Sequence, residues 1–181
     1  VARGLLDLDE AKEARIVERM WGERRQRHRS VEATFMRRYQ ELDDEIRKLP
    51  ANEVQKLLLG SYFSQEFAFE SSALSNPSII PNPRDNDGDG DSGFILSLRG
   101  VGEGHISSVT FRTGTWKADG SLTVDTPSPY ADPPIIVRDT EGGGAELICD
   151  DAIDVSESVI FPVLPSQSHG VEDLRLLRFT D

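Results

Sequence analysis

The chain changes character at Gly60, and no other feature constrains its fold as strongly. Before Gly60, apolar residues recur at helical spacing. After it, short alternating runs are broken by Pro, Gly, Ser and Asp. From Ser30, a residue type that caps helices, Val31, Phe35, Tyr39, Leu42, Ile46 and Leu49 step by four or three. That stripe predicts one amphipathic helix stopped by Pro50. Ile16, Val17, Met20 and Trp21 form a similar stripe within the charged stretch from Asp7 to Arg29, and a short helix is predicted from Asn52 to Leu59 with Gly60 as its terminator. These helices offer a face to the following domain or to a second subunit.

Beyond Gly60, Phe94, Leu96 and Leu98 alternate with Ile95, Ser97 and Arg99, which assigns the first three to a core face. Ile106, Val109 and Phe111 anchor another run, and Leu122 and Val124 a third. Pro134 to Val137, Ala145 to Cys149, Val159 to Leu164 and Leu174 to Phe179 complete the set. The expectation is a mainly β protein: a helical N-terminal extension over 1–60, then an antiparallel sandwich or propeller over 61–181.

Charge narrows the partners. Residues 1–60 carry 13 Lys/Arg against 12 Asp/Glu, and the remainder 7 against 20. So acidic a second part argues against nucleic acid and suits a neutral, hydroxyl-rich ligand or a cation. The cluster Arg24, Arg25, Arg27, His28, Arg29 lies near Glu18, Glu23 and Glu32, as expected of a salt-bridged helix face. No run approaches the roughly 18 apolar residues of a membrane span. Val1 to Leu6 has no basic-then-apolar leader pattern. Cys149 is the only cysteine, so no internal disulfide can form, and a reducing, cytoplasmic setting is expected. Asp85-Asn86-Asp87-Gly88-Asp89-Gly90-Asp91-Ser92 resembles the start of a calcium loop, but Leu96 stands where a bidentate Glu belongs, so an exposed acidic loop is the expectation. Trp116 and Tyr130 are candidates for stacking on sugar rings, and Trp21 for packing among the helices.

Three segments are more particular than generic β patterning. One runs from Tyr62 through Glu66, Phe69 and Glu70 to Ser75-Asn76-Pro77-Ser78. Another is Phe94-Ile95-Leu96-Ser97-Leu98-Arg99, continuing through Gly102-Glu103-Gly104-His105-Ile106-Ser107-Ser108 to Gly114. The last is Val159-Ile160-Phe161-Pro162 followed by Ser168-His169-Gly170-Val171-Glu172-Asp173-Leu174-Arg175. In content and order, over about residues 30–181, they resemble the helix-prefixed members of glycoside hydrolase family 130.

The resemblance implies the first blades of a five-bladed β-propeller with a sugar site at its central funnel. It also implies inverting cleavage of β-mannosides by phosphorolysis or hydrolysis, so the expected partner is a mannose-containing oligosaccharide. No cofactor or metal is implied beyond inorganic phosphate as a co-substrate, and no nucleic acid or membrane. A homo-oligomer through the N-terminal helices is a further expectation. By analogy Asp173 supplies the proton to the departing sugar oxygen, and Asn76 and Arg99 hold the sugar. Glu172 and Arg175 join the substrate contacts. His105 either lines the funnel or serves as a structural hydrogen-bond hub. Leu174 departs from the Pro or Ala of many members. The family's remaining blades, with its phosphate-holding basic residues or water-activating carboxylate, would lie beyond Asp181.

The chemistry can also be weighed without the family. Glycoside cleavage needs a proton for the leaving oxygen and a nucleophile at the anomeric carbon. Inverting hydrolases separate two carboxyl groups by about 6.5–9.5 Å to admit water, whereas a phosphorylase replaces the base with a positive pocket. Read from the residues alone, Glu172 and Arg175 pair across a strand end, Arg99 meets a surface acid, and Asn76-Pro77 is turn chemistry.

Overall fold

Asp9, Ser30 and Asn52 each precede a helix, and each side chain accepts the backbone N–H three residues on, satisfying a donor the helix cannot use. The computed structural model describes residues 1–83, 90–138 and 143–179, and divides the chain into two units, Val1–Glu66 and Phe67–Asp181. The boundary falls six residues after the expected position at Gly60.

The first unit contains α1 (Ala2–Leu6), α2 (Glu10–Arg24), α3 (Val31–Gln40), α4 (Asp44–Arg47) and α5 (Glu53–Tyr62). Val31, Phe35 and Leu57 form one buried cluster with Met20 and Trp21 against it. Tyr39, Leu42 and Leu59 form a second. The expected single helix from Ser30 to Pro50 is broken. The N–H of Leu42 turns back to the carbonyl of Tyr39 at 3.2 Å, which tightens the chain and still buries Leu42. Nor does Gly60 end a helix, since α5 continues to Tyr62. There α5 crosses α3 so closely that a Cβ on Gly60 would overlap the Phe35 carbonyl.

The Arg-rich segment finds its acid 39 residues away. Arg27 Nε and Nη2 donate to the two oxygens of Glu66 at 3.1 and 2.8 Å, and His28 Nε2 lies 2.9 Å from Oε1. Arg27 holds the Glu66 carboxyl below the ordinary glutamate range, against partial burial and with help from His28. Arg24 lies over the Phe35 ring, 5.2 Å from its centroid.

The second unit is built on β1 (Ala73–Pro81), β2 (Ser92–Val101), β3 (Ser107–Trp116) and β4 (Leu122–Val124), an antiparallel meander in chain order. β7 (Val159–Ile160) also pairs with β3. A separate hairpin joins β5 (Ile135–Arg138) to β6 (Ala145–Ile148). Among the described residues helix exceeds strand, so the chain is mixed α and β rather than mainly β. No helix is long and apolar enough to cross a membrane among those residues.

Register defines two faces of the sheet. Ser75, Ser78, Ile95, Ser97, Arg99, Val101, Ser107, Val109 and Phe111 share one. Leu74, Ile79, Phe94, Leu96, Leu98, Ser108, Thr110, Arg112 and Trp116 share the other. The expected core face, Phe94-Leu96-Leu98, is only partly right: Phe94 is buried, Leu96 and Leu98 are half-buried, and Ser97 on the opposite face is 1% exposed. Both faces are covered there, so alternation does not mark inside from outside. Leu122 and Val124 are exposed, as are Ile135, Ile136 and Val137. The Val159 run is strand only to Ile160, and Leu174 to Phe179 is no strand. The calcium-like run lies mostly outside the described residues, but Asp91 Oδ1 accepts the Ala118 N–H at 3.2 Å.

Two measurements test the helical unit. Gly60→Ala is expected to cost about 3 kcal/mol by overpacking. Gly22→Ala, with open space around its site in α2, should gain about 0.5–1 kcal/mol in the same denaturant titration. Because the Glu66 pKa is lowered on folding, its stabilising contribution is present above the unfolded glutamate value. That contribution is lost as pH falls through the folded one. Glu66→Gln should therefore flatten the acid limb of stability, and an unchanged limb would contradict the pairing.

Candidate functional site

The site begins with a defect in β1. Ser75 pairs with Arg99 and Ser78 with Ser97, so β1 spends one residue more than β2 over this interval, a bulge at Asn76-Pro77. Asn76 takes the left-handed backbone conformation (φ 52°), which Asn tolerates better than most residues. Pro77 has no N–H to give to a ladder. What reads in the sequence as a turn is a kink inside a strand.

A strap from Gly170 to Leu176 crosses this face from β3 to β1. Gly170 bridges Ser107, and the Val171 N–H donates to the Ser107 carbonyl at 2.9 Å. Ser97 Oγ on β2 donates to the Leu174 carbonyl at 2.8 Å. Ser78 Oγ on β1 accepts the Leu176 N–H at 2.9 Å. At Gly170, φ is +115° and an added Cβ would press on the Ser107 backbone, so glycine sets how closely the strap lies on β3. At Leu174 and Leu176 serine side chains take the bonds that a strand would make to backbone.

The strap delivers its carboxylates to the bulge. Asn76 Nδ2 donates to Asp173 Oδ1 at 2.7 Å, and Arg175 Nη2 donates to Asp173 Oδ2 at 3.1 Å. Arg175 Nη1 also reaches the Pro77 carbonyl at 3.2 Å. Arg99 Nη2 lies 3.2 Å from Ser107 Oγ and 3.3 Å from Glu172 Oε1, while its Nε is buried with no partner. The Asp173 and Arg99 side chains are 28% and 27% exposed, so both are supported yet reachable. Glu172, at 79%, stands in solvent.

Five of the six residues singled out from the sequence thus lie along the strap and the strands under it, in two bonded sets: Asn76 and Arg175 on Asp173, and Arg99 on Glu172. His105 joins neither. It occupies the tight β2–β3 turn with φ 60° and an exposed ring that bonds to none of the five. Glu172 and Arg175 do not pair with each other as the residues alone implied: Glu172 meets Arg99, and Arg175 meets Asp173. Sequence reasoning missed Ser78, Ser97, Ser107 and Gly170, which hold the strap. Ser78 and Ser107 lie within the Asn-Pro-Ser and Gly-His-Ile-Ser-Ser runs, where nothing in the sequence marks them for this duty. Trp116 is exposed and Tyr130 half-buried.

Chemically, the group presents a carboxylate oriented by an amide, a guanidinium with an unused buried donor, and a second, solvated carboxylate. Such a set hydrogen-bonds vicinal hydroxyls and can pass a proton to an oxygen. Among the described residues, no group of three or more His, Cys, Asp or Glu could hold a metal ion. No protein-family model matches the chain, and no curated protein or solved structure matches it.

If Asn76 is needed for its backbone as well as its amide, the two small replacements should differ. Asn76→Ala is expected to destabilise the chain by about 1–2 kcal/mol more than Asn76→Gly, because only alanine pays the left-handed penalty. Thermal unfolding in the reverse order would remove the bulge from the description.

Proposed function

We propose that the chain acts on β-mannosides, as a glycoside phosphorylase or hydrolase of the family 130 type, with Asp173 as proton donor to the departing sugar oxygen. The observation that carries this reading is the hydrogen bond from Asn76 to Asp173 beside Arg99. The residues that the motifs name as sugar holders and acid come from segments 97 and 74 positions apart in sequence and meet on one face. The antiparallel β1–β4 meander is compatible with one blade of the propeller that this reading calls for.

In this mechanism Asn76 fixes one carboxyl oxygen of Asp173, and the other must face the glycosidic oxygen. That second oxygen is occupied by Arg175, whose side chain is 63% exposed and has room to swing aside when substrate enters. The terminal fork of Arg99, whose side chain is 27% exposed, suits adjacent mannose hydroxyls. Phosphate attacks from the opposite side of the sugar, giving inversion; in hydrolysis water takes its place and gives its proton to a second carboxylate acting as base.

A second reading, carbohydrate binding without turnover, is favoured by the engagement of both Asp173 oxygens. Incubating the chain with a poorly activated β-mannoside, with and without phosphate, separates the two. Turnover that falls about 100-fold or more in Asp173→Asn is expected. Turnover unimpaired by that change would exclude the proton-donor role, and saturable binding without product would favour the second reading.

A further inference from the structure

The other face of the sheet carries a polar group that the Asp173 site does not use. Ser108, Thr110 and Arg112 are alternate residues of β3 and share that face. Ser108 and Thr110 are 0% exposed and Arg112 is 8% exposed. Glu70 comes from the segment preceding β1, and its Oε2 accepts from Arg112 Nη2 at 2.6 Å. Glu70 and Ser108 crowd one spot beside Gly100: a Cβ there would lie 3.4 Å from both Glu70 Cγ and Ser108 Oγ. Arg112 Nη1 is satisfied by the Phe111 carbonyl at 2.8 Å. Three buried oxygens on these residues, Glu70 Oε1, Ser108 Oγ and Thr110 Oγ1, have no hydrogen-bond partner among the described residues.

Buried polar atoms are seldom left unpaired, because each gave up a bond to water on folding. Side chains two residues apart on a strand stand about 6–7 Å apart, too far for the two hydroxyls to bond each other. Two hydrogen bonds of about 2.8 Å through one intermediary nearly span that gap. We propose that ordered internal water occupies this place, donating to Glu70 Oε1 and bridging the hydroxyls of Ser108 and Thr110 as a fixed part of the sheet.

Charge selects water over a cation. The Glu70 carboxylate is already matched by Arg112, and a metal ion would have to sit beside that guanidinium with two neutral hydroxyls as its other ligands. A water molecule supplies both donors and acceptors, which a carboxylate and two hydroxyls together require. The position has a consequence for the opposite face. Ser107 carries the strap while Ser108, the next residue, would hold the water, so β3 is fixed from both sides at its first two residues.

A high-resolution crystal structure of the full chain tests this, paired with Thr110→Val, which keeps the shape and removes the hydroxyl. The expected result is a water peak within hydrogen-bond distance of Glu70 Oε1 and at least one of the two hydroxyls. Thr110→Val should shift or lose that peak and lower the melting temperature by about 4 °C. A metal-type coordination shell, a dry site, or a variant that melts no lower than the parent would overturn the proposal. If Thr110→Val fails to fold, water-to-amide magnetisation transfer at Ser108 and Thr110 in the parent chain decides it: transfer supports the site, and none overturns it.

Discussion

The hydrogen bond between Asn76 and Asp173 can form only because two separate distortions coincide. The bulge in β1 turns the amide outward, and the strap brings the carboxylate across three strands to meet it. Neither distortion is favourable alone: one places a non-glycine residue at positive φ, and the other lays backbone across a sheet face that offers no strand ladder. The hydroxyls of Ser78 and Ser97 and the backbone of Ser107, one residue on each strand crossed, supply the bonds a ladder would have given. Remove that support and the carboxylate has no fixed position.

The two units owe their order to different physics. The helical unit is a conventional apolar seam, with Phe35, Leu58 and Leu59 almost wholly buried and side-chain caps at three helix starts. Among the described residues of the sheet unit, Phe94, Val109 and Val159 are the buried apolar side chains. They sit among buried Ser97, Ser107, Ser108, Thr110, Arg112 and Glu157. An interior of that kind is specified by hydrogen-bond geometry, which positions polar groups for a polar ligand more sharply than apolar packing does. It also leaves Ile79, Trp116, Leu122 and Val124 exposed on the second face.

Much of the helical unit was legible in the sequence, since Ser30 and Asn52 are strong cap signals and the Val31–Leu49 stripe has helical period. The break at Leu42 was not, because both a continuous helix and a tight turn bury the same leucine. The sheet was harder. Apolar alternation located β2 and β3 but missed β1, where Asn76-Pro77 reads as punctuation, and it overrated Leu122 and Val124, whose strand has little above it. The bond between Asn76 and Asp173 joins two residues that the motifs single out and that no apolar pattern marks. Their supports were invisible, since a serine that fixes backbone looks like any other serine. Whether the meander is one blade of a propeller rests on the proposed kinship and not on pattern.

The most direct measurement of the central claim is an NMR titration of the labelled chain with a β-linked manno-oligosaccharide, following the Asn76 side-chain amide and the Arg99 Nε–H. Saturable shifts of both signals, with the Asp173 carboxyl carbon moving alongside them, are the expected result. Shifts confined to other surfaces, or none at concentrations that saturate any binding, would contradict a sugar site at this carboxylate.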